Sequence, residues 1–123
     1  ADTVIDFDGE IIGKADNAKQ AEEILTKLFS RPHKVITAIA LVHDRKDKFL
    51  LEYDSTIVYP GKLSHEYIKE YIASGQWIGR AGAYGIREGA DPFIDRIEGS
   101  ETNVMGFSME LFEKMYRKFA ASI

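Results

Sequence analysis

The dipeptide Asp8-Gly9 constrains the fold of this chain most, because it separates two short apolar segments, residues 4–7 and 10–12. Glycine adopts positive φ angles without steric cost, and Asp-Gly between two such segments is typical of a two-residue β-hairpin turn. We therefore predict a first strand that includes residues 4–7 and a second strand over residues 10–12. These strands are antiparallel neighbours, since a parallel pair needs a crossover of roughly a dozen residues or more.

Two charged residues, Asp2 and Lys14, flank this hairpin. A hairpin folded at Asp8-Gly9 pairs residues whose numbers sum to about 17, so it brings Asp2 and Lys14 to the same end. A carboxylate beside an ammonium group suits polyphosphate chemistry, in which the acid binds a metal ion or accepts a proton and the amine neutralises phosphate charge. The same two residues also fit an ordinary surface hairpin with a weak ion pair, and from these residues alone both interpretations stay open.

The rest of the chain alternates between helical and strand patterns. Apolar residues at helical spacing predict helices over residues 16–29, 64–74 and 108–120, and β-rich segments predict strands over residues 34–43, 49–59 and 91–99. The charged segment 44–48 joins two of these strands and is too short for a crossover, so it predicts a second hairpin. We therefore predict an α/β (α+β) fold with a mixed, largely antiparallel sheet flanked by helices.

Residues suited to cap these helices stand at the predicted ends. Asp16 or Asn17 can cap the first helix, and Ser64 can cap the second. Gly75 is suited to the position just after the second helix, where a left-handed backbone conformation is common. The capping residues thus support the helix boundaries that the apolar periodicity predicts.

Composition excludes several classes of protein. The chain has 123 residues, a formal net charge of −4 and no cysteine. Its length indicates one domain, and the absence of cysteine excludes disulfides, thiolate metal sites and cysteine nucleophiles. An acidic chain is unsuited to general binding of nucleic acid polymers, which requires a basic surface. Without an apolar segment of membrane-spanning length or an apolar leader, we expect a cytoplasmic protein that contacts no membrane.

Two further segments carry basic residues. Residues 79–87 contain three glycines within seven positions, which allows the backbone to approach a ligand or another element closely. Arg80 and Arg87 bracket this run and suit a phosphate or a base edge, but the spacing is not that of a Walker loop. Arg31 and His33 precede a predicted strand, where they either face a phosphate or form a solvated arginine and a satisfied turn histidine.

Six segments in this order resemble the Maf family of nucleoside triphosphate pyrophosphatases, also called septum-formation inhibitor proteins. They are Ala1–Ile5, Ile12–Lys14, Leu28–Thr37, Ala81–Ile86, Ile97–Ser100 and Asn103–Gly106. Their order and spacing match throughout, so the resemblance covers essentially the whole chain. It implies a fold similar to that of the inosine triphosphatases, with an elongated mixed sheet between helical lobes and a nucleotide in the cleft.

The resemblance also implies an activity and roles for individual residues. Members of this family cleave a nucleoside triphosphate between the α and β phosphates with a divalent metal ion, Mg²⁺ or Mn²⁺. Asp2 falls on the proposed general base and metal-binding aspartate, Thr3 on a specificity position, and Lys14 on a phosphate-binding lysine. Lys14, Arg80 and Arg87 would then stabilise charge on the leaving pyrophosphate.

Several departures from the family pattern qualify this expectation. The family's N-terminal segment, with its Ser- and Arg-rich phosphate loop, an acidic metal ligand and a further lysine, has no counterpart here. We therefore expect residues 1–123 to form a single Maf-like domain that lacks its N-terminal portion. Arg87 stands where typical members have glutamine, which puts the usual dTTP/UTP preference in doubt. The alternative is a catalytically inactive domain that binds a nucleotide or a partner.

A homodimer is also implied by the resemblance. The predicted interfaces are the region of Trp77, taken as exposed, and the tyrosine face of the helix over residues 64–74, which is equally suited to the core.

Overall fold

The computed structural model describes residues 1–84 and 94–121. It contains five strands, β1 (Asp2–Phe7), β2 (Glu10–Ile12), β3 (His33–His43), β4 (Lys48–Pro60) and β5 (Ile94–Glu98), and four helices, α1 (Ala18–Leu28), α2 (His65–Ser74), α3 (Glu101–Val104) and α4 (Met109–Ala121). Each predicted helix and hairpin strand is present, with ends that differ by at most two residues from the prediction. Residues 91–93 of the predicted last strand lie outside the described ranges.

The first hairpin folds at the predicted turn. Both turn residues have positive φ angles, 52° at Asp8 and 92° at Gly9. Phe7 lies opposite Glu10 in the register, so paired residue numbers sum to 17 as predicted. The Asp6 carboxylate also accepts a hydrogen bond from the Gly9 backbone N–H at 2.9 Å, which stabilises the turn.

The sheet has the strand order β2-β1-β3-β4-β5, and every described pairing is antiparallel. The pairing of β3 with β4 is the longest, running from His33 opposite Val58 to His43 opposite Lys48. This confirms the predicted antiparallel hairpin and the expected sheet with flanking helices. The start of β1 lies beside the middle of β3, with Asp2 opposite Ala38.

One face of the sheet forms the core. Buried apolar side chains of β1, β3 and β4 pack there against α1 and α2, and they include Ile5, Phe7, Val35, Val58, Leu25, Leu28 and Ile68. On the other face, the far end of the β3–β4 hairpin exposes a set of large apolar side chains, Val42, Phe49, Leu51 and Tyr53. The strand alternation therefore separates a covered face from an open one.

The helix ends have the expected caps. Asn17 accepts a hydrogen bond from the Gln20 backbone N–H at 2.8 Å, and Ser64 accepts one from Tyr67 at 3.1 Å. Gly75 ends α2 with a φ angle of 75°, which is the left-handed conformation that favours glycine. Within residues 1–84 and 94–121, no helix is long and apolar enough to cross a membrane.

The prediction that Trp77 is exposed is wrong, and Tyr71, for which the core and an interface were both open, lies in the core. Trp77 is only 9% exposed, and its indole N–H donates to the Ile72 carbonyl at 3.0 Å. Tyr71 is 8% exposed, and its hydroxyl donates to the Ala83 carbonyl at 2.9 Å. Both side chains belong to the core beneath α2, because large aromatic rings bury more area there than on the surface. The homodimer itself stays a prediction.

Candidate functional site

A cleft of about 410 Å³ opens where β1 begins. Residues 1–3 form one wall, Lys14 with residues 79–81 a second wall, and residues 105–106 a third. Its floor consists of core side chains, namely Ile5, Val35, Val104 and Tyr84. Segments far apart in sequence therefore meet where β1 begins, which is the end of the first hairpin at which Asp2 and Lys14 were expected.

The structure brings four of the five predicted site residues together. Asp2, Thr3, Lys14 and Arg80 all line this cleft. Arg87 lies outside the described residues, so the structure does not place it. One carboxylate and two cationic side chains thus share a single concave site, an arrangement suited to an anionic ligand with an associated cation.

The charged side chains extend from a fixed backbone. Asp2 is exposed, and its Oδ1 accepts a hydrogen bond from the Thr3 backbone N–H at 3.0 Å. Lys14 pairs with Ala81 in an isolated antiparallel bridge, which ties the end of the first hairpin to the segment that carries Arg80. The two cationic residues are therefore held near each other by backbone pairing, while their side chains remain exposed to a ligand.

Thr3 belongs to a network of buried hydroxyl and amide groups that sequence reasoning missed. Its Oγ1 lies 2.9 Å from Oγ1 of Thr37, its partner in the β1–β3 register. Thr37 donates to the Asn103 carbonyl at 3.0 Å, and both residues are fully buried. One signal was available: Thr37 is in phase with the buried Val35 and Ile39, so strand alternation places its polar side chain on the core face.

The glycine-rich segment makes the close approach that its composition predicts. A Cβ atom at Gly82 would lie 2.9 Å from both Ile5 Cγ1 and Leu28 Cδ1. The Gly82 backbone N–H also donates to the Gly13 carbonyl at 3.0 Å. This contact is with another element of the chain, and it holds the neighbouring Arg80 at the mouth of the cleft.

His33 is a buried histidine with a hydrogen-bond partner, as one of the two interpretations expected. It is 3% exposed, and its Nε2 lies 2.6 Å from the Tyr84 hydroxyl, whose ring lines the cleft. Burial lowers the pKa of His33, although backbone hydrogen bonds with Arg31 and Leu28 oppose this shift. The imidazole is therefore neutral near pH 7, and it holds Tyr84 in the floor of the cleft. Arg31 is exposed and pairs with Asp8 at 3.1 Å.

The cleft suits a metal ion only when a ligand shares its coordination. Among the described residues, Asp2 is the one carboxylate that lines the cleft, and no group of three or more His, Cys, Asp or Glu side chains is suited to a metal ion. Mg²⁺ is often bound by one or two carboxylates together with substrate phosphates. The donor set thus fits a cation that Asp2 and a phosphorylated ligand hold jointly.

Comparisons with known proteins show the family of this chain. A sequence model of the family described as Maf-like protein matches residues 1–119. The chain is 37% identical over 116 residues to the dTTP/UTP pyrophosphatase of Clostridium acetobutylicum, a match that covers 94% of this chain and 57% of that protein. It is 41% identical over 109 residues to the dTTP/UTP pyrophosphatase of Citrifermentans bemidjiense, covering 89% of this chain and 56% of that protein.

A third relative has a broader name. The chain is 35% identical over 123 residues to the nucleoside triphosphate pyrophosphatase of a Synechococcus strain, a match that covers 100% of this chain and 62% of that protein. The chain therefore spans between 56% and 62% of the length of these three curated relatives.

Proposed function

Because this chain belongs to the Maf-like protein family, we propose that it hydrolyses a nucleoside triphosphate, a deoxynucleoside triphosphate or a modified form of either, to the monophosphate and pyrophosphate. The observation that carries the proposal is the convergence of Asp2, Lys14 and Arg80 on one cleft. The names of the relatives, dTTP/UTP pyrophosphatase and nucleoside triphosphate pyrophosphatase, support this substrate class. We place the activity in the cytoplasm.

Each side chain has a distinct role in the proposed reaction. Asp2 accepts a proton from water as the water oxygen bonds to the α-phosphorus and the bond from that phosphorus to the bridging oxygen breaks. Lys14 and Arg80 stabilise the charge that develops on the leaving pyrophosphate. Asp2 is also the described residue that would hold Mg²⁺ or Mn²⁺, which polarises the phosphates when bound. Thr3 and Arg87 complete the proposed substrate contacts.

Nucleotide binding without hydrolysis is the second candidate function. It is favoured by one observation, that Asp2 is the single carboxylate lining the cleft within the described part of the chain. A site with one carboxylate binds a nucleotide through Lys14 and Arg80 whether or not it orients water for attack. The two candidates differ in whether bound nucleotide releases pyrophosphate.

A pyrophosphate-release assay tests the proposal. The chain is incubated with Mg²⁺ or Mn²⁺ and a panel of nucleotides that includes dTTP, UTP and 7-methyl-GTP. The nucleotide that is hydrolysed fastest shows which base is compatible with arginine at position 87. Asp2→Asn keeps the size of the side chain but removes its charge, and we expect it to lower turnover by about 10²–10⁴-fold. Asp44→Asn, in the exposed turn between β3 and β4, is the matched control and should retain full turnover.

Two results would contradict this assignment. Full turnover by Asp2→Asn would show that the Asp2 carboxylate takes no part in the reaction. If the folded wild-type chain binds nucleotide tightly but releases no pyrophosphate, its function is the second candidate, nucleotide binding without hydrolysis.

A further inference from the structure

Ala83 has a backbone conformation that alanine disfavours. Its φ angle is 65°, and within residues 1–84 and 94–121 the other non-glycine residues with positive φ angles are Asp8 and Asp47. Those two lie in the exposed turns of the two hairpins, where aspartate tolerates this conformation. An L-residue with a Cβ atom populates the left-handed region about five- to thirtyfold less than the right-handed one. The conformation of Ala83 is therefore maintained by its surroundings.

The contacts of Ala83 include a tether from a helix. The Tyr71 hydroxyl, on α2, donates to the Ala83 carbonyl at 2.9 Å, and both residues are buried. The Ala83 backbone N–H donates to the Arg80 carbonyl at 3.0 Å, and the Gly82 N–H donates to the Gly13 carbonyl at 3.0 Å. The last two bonds join backbone to backbone, whereas the first depends on one side-chain oxygen. A hydrogen bond shielded from water in this way is electrostatically strong.

Ala83 lies between two residues of the cleft. Arg80 and Tyr84 both line the cleft, and Ala83 directly precedes the second and bonds through its backbone to the first. A change of the φ and ψ angles at Ala83 would therefore move Arg80 relative to the floor of the cleft. Arg80 is exposed and forms no ion pair with another described residue, so its position follows from its backbone.

We infer that Tyr71 is a positioning residue of the cleft, whose buried hydroxyl holds Ala83 in the left-handed conformation and thereby places Arg80 for a phosphate group of the ligand. The inference rests on the proposed function for the identity of the ligand as a nucleoside triphosphate. It gives a functional role to α2, a fully described helix whose residues do not line the cleft.

A double-mutant cycle tests whether Tyr71 acts through Arg80. Titration calorimetry measures the dissociation constant of α,β-imido-UTP, whose α–β bridge resists hydrolysis, with Mg²⁺ for the wild-type chain, Tyr71→Phe, Arg80→Gln and the double variant. Tyr71→Phe removes one oxygen atom and keeps the ring. We expect it to weaken binding by about three- to tenfold, because the binding-competent conformation becomes less populated. In the Arg80→Gln background it should have no further effect, since the side chain that it positions is absent.

A purely structural role for Tyr71 predicts a different pattern. Damage to the core would weaken the binding of the analogue and of uridine alike, and the losses in the double variant would add. Uridine has no phosphate, so under our inference Tyr71→Phe leaves its weak binding unchanged. Tyr116→Phe, on the exposed side of α4, removes the same hydroxyl group elsewhere and is the matched control, which should bind both ligands as the wild-type chain does.

Substitution of Ala83 tests the backbone strain directly. Glycine adopts the left-handed region about as readily as the right-handed one, so Ala83→Gly depends less on the tether. Combined with Tyr71→Phe, it should restore most of the lost affinity. Ala83→Gly alone should bind the analogue at least as tightly as the wild-type chain, which tests the conformation even if Tyr71→Phe does not fold. Thermal denaturation shows whether each variant is folded.

The outcomes separate this inference from the proposed activity. Wild-type affinity in folded Tyr71→Phe, additive losses with Arg80→Gln, a loss that Ala83→Gly does not reduce, or weaker binding by Ala83→Gly alone overturns the inference. A coupled loss that Ala83→Gly restores supports it even if no pyrophosphate is released, in which case only the proposed hydrolysis fails. Absence of analogue binding to the wild-type chain overturns the inference, and the pyrophosphate-release assay then decides the proposed hydrolysis separately.

Discussion

Gly82 is the position where a single methyl group would do most harm to the cleft. Its φ angle is 69°, and a Cβ atom there would approach Ile5 and Leu28 within 2.9 Å. Both partners are fully enclosed core side chains with little room to move. The packing of one glycine thus controls how closely the segment that carries Arg80 approaches the first strand.

We expect Gly82→Ala to lower the free energy of unfolding by about 2–5 kcal/mol, since it adds overpacking to the cost of a left-handed backbone. Urea denaturation measures the loss. Gly79 has a φ angle of 76°, but a Cβ atom there would meet no atom within 4 Å. Gly79→Ala therefore measures the free-energy cost of the left-handed backbone alone. Gly13→Ala has neither problem and should be almost neutral. Equal stability of Gly82→Ala and Gly79→Ala would show that the core yields to the added methyl.

At the scale of elements, His33 joins the beginning of β3 to the glycine-rich segment. Its imidazole, the Tyr84 ring and the Phe29 ring form an aromatic cluster, with centroids 5.3 Å apart between Phe29 and Tyr84 and 5.7 Å between His33 and Tyr84. The histidine bonds to Tyr84. Its burial lowers the pKa of the imidazole below the ordinary value of 6.5. The junction is therefore sensitive to acid.

The sign of the effect follows from the two states of His33. Below pH 6.5 the unfolded chain binds a proton on this imidazole that the folded chain does not, because its folded pKa is lower. The free energy of unfolding should thus fall as the pH drops below 6.5, with a slope of at most about 1.4 kcal/mol per pH unit, and level off above it.

Urea denaturation between pH 5 and 8 tests this prediction. His33→Gln should be less stable at neutral pH and should lose this component of the pH dependence. His65→Gln, at the exposed first position of α2, is the control and should keep the wild-type slope. An unchanged slope in His33→Gln would assign the acid sensitivity to other groups.

For the whole molecule, the choice of ligand depends more on where the charges lie than on the net charge. The chain carries a net charge of −4, yet two cationic side chains, Lys14 and Arg80, face the same cleft. A local pair of cations attracts a compact polyanion even on an acidic protein, while a long polyanion also meets the surrounding negative surface. The cleft should therefore prefer triphosphates to nucleosides and to nucleic acid polymers.

We expect Lys14→Gln and Arg80→Gln each to weaken UTP binding by about tenfold or more, because each removes a charge-assisted hydrogen bond to phosphate. Uridine, which has no phosphate, should bind all forms with similar weak affinity. Titration calorimetry at low and high salt measures both ligands, and Lys46→Gln in the exposed β3–β4 turn is the control. A uniform loss of UTP and uridine binding would indicate a damaged cleft instead of lost charge.

Features that depend on a few neighbouring residues were predictable from the sequence. The turn at Asp8-Gly9, the Asn17 cap and the left-handed Gly75 all formed as expected. The approach of Asp2 to Lys14 was also predictable, since a two-residue turn fixes the register of everything that follows it. Arg80 was singled out because it borders the glycine-rich run, and the fold brings it to the same cleft.

The sequence by itself thus determined the strands, the helix ends and the hairpin that brings together the first two charged residues, because steric and hydrogen-bonding rules act over a few residues. Tertiary structure decided which side chains are buried and what they contact. Trp77 is buried in the core, His33 forms a hydrogen bond with Tyr84, and Thr37 forms one with Asn103, 66 residues away. Such contacts depend on the packing of distant segments, which local propensity and periodicity do not encode.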